Sequence, residues 1–256
     1  MYPTFFTYKF ITIGSFGLLL GAAFFIAFLL LEREFSLKNI DPELAYKILI
    51  TVIPSAIIGA KIFHIIENFN EFLADPSGIL FSGAGLSVYG GFILSFISGA
   101  VLIKMNNENP LRILDIASPA MALGYAIGRL GCHASGDGCY GINTASFLGV
   151  AYPNGIVPTS INVFPTPLFE SFAALIFFII LMRLRKHELK TGVIFFIYLI
   201  MNGCARFAIE FIRVNPVAAF GLTQAQIIAI CFIIGGSAGL FYVMELRENV
   251  KGSAKG

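Results

Sequence analysis

The chain has 256 residues, of which 57% are hydrophobic and only 12% charged, and its mean hydropathy is +0.83. A soluble domain carries about a quarter charged residues, so a single core in water is excluded and lipid is the solvent this composition calls for. The formal net charge is +2 and there is no basic tract, so no nucleic-acid partner is expected.

A membrane-crossing helix needs about 20 mostly apolar residues. Seven such runs are legible, at roughly 8–31, 44–66, 82–104, 112–132, 167–185, 191–213 and 223–245. The first, about Thr7 to Leu31, is longer than a signal-peptide core and ends without a small-residue cleavage pattern, so a retained span is expected. Glycine or charge interrupts the third, fourth and sixth. The expected fold is an all-α integral membrane protein: seven transmembrane helices with a small outward-facing head. One domain, 1–250, includes that head at 132–165, and 251–256 form a solvated cytoplasmic tail.

Loop charges predict the orientation. Arg33 and Lys38 follow the first run, Lys104 and Arg112 the third, Arg183, Arg185, Lys186 and Lys190 the fifth, and Arg247, Lys251 and Lys255 the seventh. The stretch from Phe69 to Gly83 holds Glu71 and Asp75 but no Lys or Arg, and Cys132 to Phe164 holds none either. Only Arg213 borders the remaining loop on that side, and Lys9 alone opposes the pattern. The positive-inside rule then puts the N-terminus outside and the C-terminus in the cytoplasm. The head carries turn signals at Pro153, Asn154-Gly155, Pro158 and Pro165, with a β-prone piece at 147–152.

Few polar groups enter the apolar runs, and an ionisable residue at membrane depth is by default a functional candidate. Arg129 lies between Gly128 and Gly131, where glycines permit close approach and a guanidinium fork suits a phosphate diester; the alternative is an arginine snorkelling to the interface. Arg206, Glu210 and Arg213 share one helical face, either as an internal ion pair or as the lining of a polar cavity. Tyr89 precedes Gly90 and Gly91, as a ligand-reaching hydroxyl or as an interfacial tyrosine before close helix packing. Pro167 opens a helix in which Glu170 either caps the N-terminus or pairs with an arginine. Cys204 and Cys231 lie in apolar runs and are expected to pack as small hydrophobes. Cys132, His133, Asp137 and Cys139 leave three options open: a metal, a Cys132–Cys139 bridge on an oxidising face, or neither. Their spacing matches no established zinc pattern. His133 is a candidate base or a plain hydrogen-bonding group.

In this order the chain resembles the prolipoprotein diacylglyceryl transferases of bacterial inner membranes. Gly59-Ala60-Lys61 resembles the family's Gly-Ala-Arg, Tyr89-Gly90-Gly91 its His/Tyr-Gly-Gly, and Leu114-Asp115 with Pro119 its Leu-Asp…Pro stretch. Gly128-Arg129-Leu130-Gly131 matches the start of its signature, and Pro165-Thr166-Pro167-Leu168-Phe169-Glu170 resembles its Pro-Ser/Thr-Gln-Leu-Tyr-Glu. Arg206-Phe207 with Glu210-Phe211 and Arg213 matches its Arg-Phe…Glu-Phe…Arg, and Gly221-Leu222-Thr223 with Gln226 its Gly-Leu-Ser…Gln. Departures are Cys132 for the signature asparagine, Asp137 as the nearest acid where the family carries Glu, Lys61 for Arg, and Pro167 for Gln.

The resemblance implies transfer of the diacylglyceryl group of phosphatidylglycerol to the lipobox cysteine thiol of a preprolipoprotein, without metal or organic cofactor. It implies a cationic clamp of Arg129 and Arg206, with Tyr89, His133, Asp137 and Glu210 as candidates for favouring the thiolate or orienting the arginines. Gly90, Gly91, Gly128, Glu170, Arg213 and Gln226 are expected to contribute to substrate binding. The altered signature keeps two alternatives in view: a transferase with the same lipid donor and another acceptor, and a non-catalytic phospholipid-binding protein.

Overall fold

The computed structural model describes residues 2–8, 11–81 and 87–253, with the side chains of 8, 11, 12, 74, 81, 88, 89 and 246–253 outside the description. It forms two compact units, Leu31–Ile113 and Met1–Leu30 with Leu114–Gly256.

The chain opens with an antiparallel hairpin, β1 (Thr4–Tyr8) and β2 (Ile11–Gly14), and only then enters α1 (Ser15–Leu37). The first span was expected from about residue 8, so its start is corrected to Ser15. The reason lies in residue type: Thr-Phe-Phe-Thr-Tyr and Ile-Thr-Ile are β-branched and aromatic, and prefer a pleated surface. A hydropathy window sums apolarity and does not separate such strands from helix. The Ser15 hydroxyl donates to the Tyr2 carbonyl and ties the hairpin to the helix start.

The Leu31–Ile113 unit holds α2 (Glu43–Glu67), α3 (Phe69–Ala74), α4 (Pro76–Phe81) and α5 (Val88–Met105). The stretch expected as a loop after residue 69 therefore carries two short helices. Asp75 caps the second, accepting from the Gly78 N–H at 2.9 Å and the Ser77 hydroxyl at 3.1 Å. α2 and α5 meet backbone to backbone. A methyl on Gly59 would land on the Gly90 carbonyl oxygen, and one on Gly90 would land on that of Gly59. Glycine at both positions is thus a packing requirement of the kind small residues meet between membrane helices.

The other unit contains most of α6 (Pro110–Ser135), then β3 (Val150–Tyr152) paired antiparallel with β4 (Thr159–Val163). It continues through α7 (Thr166–Leu184), α8 (Val193–Glu210), the small β5 (Val217–Ala219) and β6 (Leu222–Thr223) pair, and α9 (Gln224–Ser253). α9 runs into the stretch expected as a tail; residues 254–256 lie outside the described residues. Ala122, Leu181 and Ile194 form a core against Phe177, Phe178, Ile197 and Tyr198. Asp115 of α6 caps α8, its carboxylate accepting from the backbone N–H groups of Gly192 at 2.5 Å and Phe195 at 2.8 Å. That anion at a helix N-terminus satisfies donors left without partners inside the helix.

Five helices are long and apolar enough to cross a membrane: α1, α2, α7, α8 and α9 as far as Glu245, with Gly90–Met105 of α5 as a shorter apolar helix. All seven expected runs carry helix, but among the described residues only these five meet the criterion. The third run loses its start because α5 begins at Val88, and the fourth is diluted by Arg112, Asp115 and Arg129. Large apolar side chains such as Ile57, Phe92, Phe172 and Ile234 stand exposed along the helices, as lipid contact requires.

The α2–α5 contact gives a first prediction. Gly90→Ala overpacks the interface and is expected to cost about 1–3 kcal/mol, read as a lower unfolding midpoint in detergent. Gly128→Ala, whose methyl would meet nothing within 4 Å, should leave that midpoint unchanged. Equal midpoints for the two variants would refute the packing requirement.

Candidate active site

Four helix ends build the site. On α6, Tyr125, Arg129 and Cys132 follow one another at spacings of four and three, so they share a face. On α7, Pro167 sits in the first turn and Glu170 follows one turn on. On α8, Arg206 and Glu210 close the helix, and Arg213 lies just beyond it. Gln226 lies in the first turn of α9.

Glu170 is the hub. Its Oε1 accepts from Arg206 Nη1 at 2.5 Å and Arg213 Nη1 at 3.2 Å. Its Oε2 pairs with Arg129 Nε and accepts the Tyr125 hydroxyl at 2.9 Å. Glu210 is the second anion: its Oε2 lies 3.2 Å from Arg206 Nη2 and 3.7 Å from Arg213 Nε. Its Oε1 accepts from Asn215 at 2.5 Å and from the Thr223 hydroxyl at 2.9 Å. Both carboxylates are almost fully buried, at 2% and 0% side-chain exposure, whereas Arg129 and Arg206 keep 19% and 23%. Three guanidiniums against two carboxylates leave this cluster with one uncompensated positive charge.

Local chain geometry holds these groups. Gly141 pairs with Arg213 in an antiparallel bridge, and the Ile142 N–H donates to the Ile212 carbonyl at 2.8 Å. A methyl on Gly141 would strike that carbonyl, so only glycine lets the head approach the Arg213 segment. Thr223 and Gln226 form a capping box on α9. The Thr223 hydroxyl accepts from the Gln226 N–H at 3.3 Å, and the Gln226 side-chain oxygen accepts from the Thr223 N–H at 3.0 Å. Gln226, expected to bind substrate, thus uses its side-chain oxygen to fix the threonine that holds Glu210.

Beside the arginines lies a group of thiols. Arg129 sits over the Tyr125 ring, 5.0 Å from its centre, and its Nη1 is 3.9 Å from Cys132 Sγ. Donor atoms of Cys132, Asp137 and Cys139 all fall within 4.8 Å of one another. Gly136 and Gly138, at φ +60° and +86°, turn the chain back so that Cys139 returns to Cys132. Asp137 accepts from the Cys139 N–H at 3.1 Å, and the Cys139 carbonyl accepts the Thr166 hydroxyl at 2.6 Å. A hydrogen bond with the Cys132 thiol lowers the Cys139 thiol below its ordinary range, against burial.

His133 turns elsewhere. Its Nδ1 is 2.9 Å from the Tyr152 hydroxyl, and it lines an apolar cavity of about 370 Å³ with Tyr2, Phe5, Ser15, Leu18, Leu19 and Ala134. Burial, with Asp137 and Tyr140 adding to it, pushes the Tyr152 hydroxyl up to about 12, so it stays protonated.

Of the expected residues, Arg129, Glu170, Arg206, Glu210 and Arg213 converge in one cluster, with Asp137 in the adjoining thiol group. Gly128 precedes Arg129 with open space beside it. Gly90 and Gly91 belong to the Leu31–Ile113 unit, where Gly90 packs α5 on α2; the Tyr89 side chain lies outside the described residues. Sequence reading missed Tyr125, Asn202 and Asn215, and named Thr223 in a motif without a role at the site. Tyr125 and Asn202 each precede a cluster arginine by four residues, a helical spacing that would have revealed them, and both line a small cavity beside Glu170 and Arg206.

Residues 3–242 match the family model described as prolipoprotein diacylglyceryl transferase. The chain belongs to that family. It is 34% identical over 286 residues to the phosphatidylglycerol–prolipoprotein diacylglyceryl transferase of Leptospira interrogans (strain Fiocruz L1-130), covering 91% of this chain and 89% of the relative. The proteins of the same name from Clostridium novyi (30% over 241 residues; 92% and 91% covered) and Dehalococcoides mccartyi (34% over 201 residues; 78% and 76% covered) are similar to it as well. In this family member the ordered motifs Gly128–Gly131, Pro165–Glu170 and Arg206–Arg213 are the pieces that build the cluster around Glu170.

Removing the hub charge tests this arrangement. Glu170→Gln leaves three arginines around a neutral amide, and breaking a buried pair in this way costs about 3–5 kcal/mol. A lower unfolding midpoint is expected in detergent; an unchanged one would contradict the role of Glu170 as the anion that gathers them.

Proposed function

We propose that this chain transfers the diacylglyceryl group of phosphatidylglycerol to the lipobox cysteine thiol of preprolipoproteins. The sulfur forms a bond to the glycerol carbon as that carbon's bond to the phosphate oxygen breaks. The electron pair leaves on the phosphate oxygen, and the thiol proton passes through solvent to the glycerol phosphate released. The observation that carries this reading is the excess positive charge of the Glu170 cluster, in a chain whose family matches along nearly its whole length.

The chemistry suits the geometry. The donor phosphodiester carries one negative charge, and more develops as glycerol phosphate departs. Preorganised cations at that point stabilise the transition state more than the ground state. Arg129 and Arg206, the more exposed arginines, are the clamp. Glu170 and Glu210 hold their forks, and open space beside Gly128 leaves room for the headgroup. Glu210, taken up by Asn215, Thr223 and two arginines, orients rather than accepts a proton.

The protein is proposed to lie in the bacterial inner membrane with seven crossings, α5 and α6 adding to the five candidate spans. The loop charges support an external N-terminus and a cytoplasmic C-terminus, which puts the site at the outer face where secreted precursors emerge. Lipid reaches it laterally between helices, and the peptide lies under the head.

Purified protein with phosphatidylglycerol and a lipobox peptide is expected to add one diacylglyceryl group to the peptide and release glycerol phosphate. A peptide with serine for its cysteine should gain nothing. Arg129→Ala should lower turnover by about 10²–10³-fold, the usual effect of losing one preorganised donor. Unchanged turnover would overturn the clamp, and glycerol phosphate release without peptide gain would favour a different acceptor.

A further inference from the structure

We propose that Cys132 and Cys139 become joined by a disulfide that staples the start of the head to the end of α6 and withdraws two thiols from the site. The chain returns on itself here. Left-handed Gly136 and Gly138 fold the segment after α6 back, and the two sulfurs and an Asp137 oxygen fall within 4.8 Å of one another. Both cysteines are free in the structure. Each sulfur turns about its own χ1 bond, so closing the bridge calls for side-chain rotation and not for a new course of the chain.

The backbone is already held for it. The Gly136 N–H donates to the Cys132 carbonyl at 3.0 Å, and the Cys139 N–H donates to Asp137 at 3.1 Å. The Cys139 carbonyl accepts the Thr166 hydroxyl at 2.6 Å. None of these contacts uses a sulfur, so all of them persist once the sulfurs are joined. Asp137 acts in them as the group that forms the turn.

The two thiols differ as an exchange reaction requires. Cys132 is buried, whereas Cys139 is partly exposed. A hydrogen bond with Cys132 lowers the Cys139 thiol to about 7, and the thiolate is the attacking species. Cys139 attacks one sulfur of a disulfide-bearing oxidant, whose other sulfur leaves as a thiolate. Cys132 loses its proton and attacks the Cys139 sulfur of that mixed disulfide, and the second oxidant sulfur leaves. The two cysteines are oxidised, and the oxidant is reduced to a dithiol that takes up both protons. Such oxidants act outside the bacterial inner membrane, so formation in the cell rests on the proposed orientation.

The bridge also protects the proposed transfer. Cys132 Sγ lies 3.9 Å from Arg129 Nη1, so a free thiolate in this pair stands beside the clamp. Its sulfur could bond to the glycerol carbon as the phosphate oxygen leaves, ending in a stable thioether on the enzyme. A disulfide sulfur is no thiolate, and the acceptor cysteine is left as the nucleophile.

The full chain, expressed in a bacterial membrane, is acid-quenched and alkylated in whole cells, then mapped by mass spectrometry without reduction. Most chains are expected to yield a Cys132–Cys139 linked peptide, with Cys204 and Cys231 alkylated. Purified protein, reduced and then given oxidised glutathione, should form the same pair. Thiols that stay free in both experiments, or pairing with Cys204 or Cys231 instead, would overturn the proposal. Thiols free in cells that pair with glutathione would support the pairing and overturn the outward orientation. In a preparation that lipidates peptide, reduced protein given phosphatidylglycerol alone should gain a diacylglyceryl group on Cys132 or Cys139, and bridged protein none. Equal gain, or none in either form, would overturn the protective role.

Discussion

One buried carboxylate gathers the charged machinery of this protein. Glu170 draws guanidiniums from α6, from α8 and from the segment after α8 to a single point. Burying an ion is costly unless it is paired and hydrogen-bonded, so each of these arginines depends on the anions between them. Glu210 supplies the second anion and stops one charge short of neutrality. In a low-dielectric setting that residual charge acts more strongly than it would in water. This imbalance is what supports the proposed site for an anionic lipid headgroup.

The remainder of the unit keeps that point fixed. Asp115 anchors the start of α8, the helix whose other end presents Arg206 and Glu210. Gly203 lets α8 press onto α9, where a methyl would lie 2.8 Å from the Ala229 carbonyl oxygen. The capping box at Thr223 and Gln226 places the hydroxyl that Glu210 accepts. These polar contacts satisfy backbone or carboxylate groups, leaving the partly exposed faces of Arg129 and Arg206 for a ligand. The thiol group lies beside Arg129, whose Nη1 is 3.9 Å from Cys132 Sγ.

Much of the site was legible because charge is scarce in this chain. Arg129, Glu170, Arg206, Glu210 and Arg213 stand out against apolar runs, and the spacing from Arg206 to Glu210 already implies a shared helical face. What sequence left open was who meets whom: the pairing of Glu170 with three arginines joins residues far apart in the chain. Tyr125 was hidden because a tyrosine in an apolar run reads as a packing or interfacial residue. Sequence named Cys132, His133, Asp137 and Cys139 as one group but left their contacts open, because six residues lie between the two cysteines and the turn at Gly136 and Gly138 is what closes that distance. In the fold, helix positions were legible from hydropathy, whereas the hairpin at residues 4–14 was not, since apolar strands and apolar helices contribute alike to a window sum.

The most direct measurement is an experimental structure of the protein with phosphatidylglycerol bound. The account predicts phosphate oxygens at about 2.7–2.9 Å from guanidinium nitrogens of Arg129 or Arg206, with Glu170 still holding both side chains. A headgroup bound away from all three arginines, with the Glu170 cluster intact and unliganded, would contradict it.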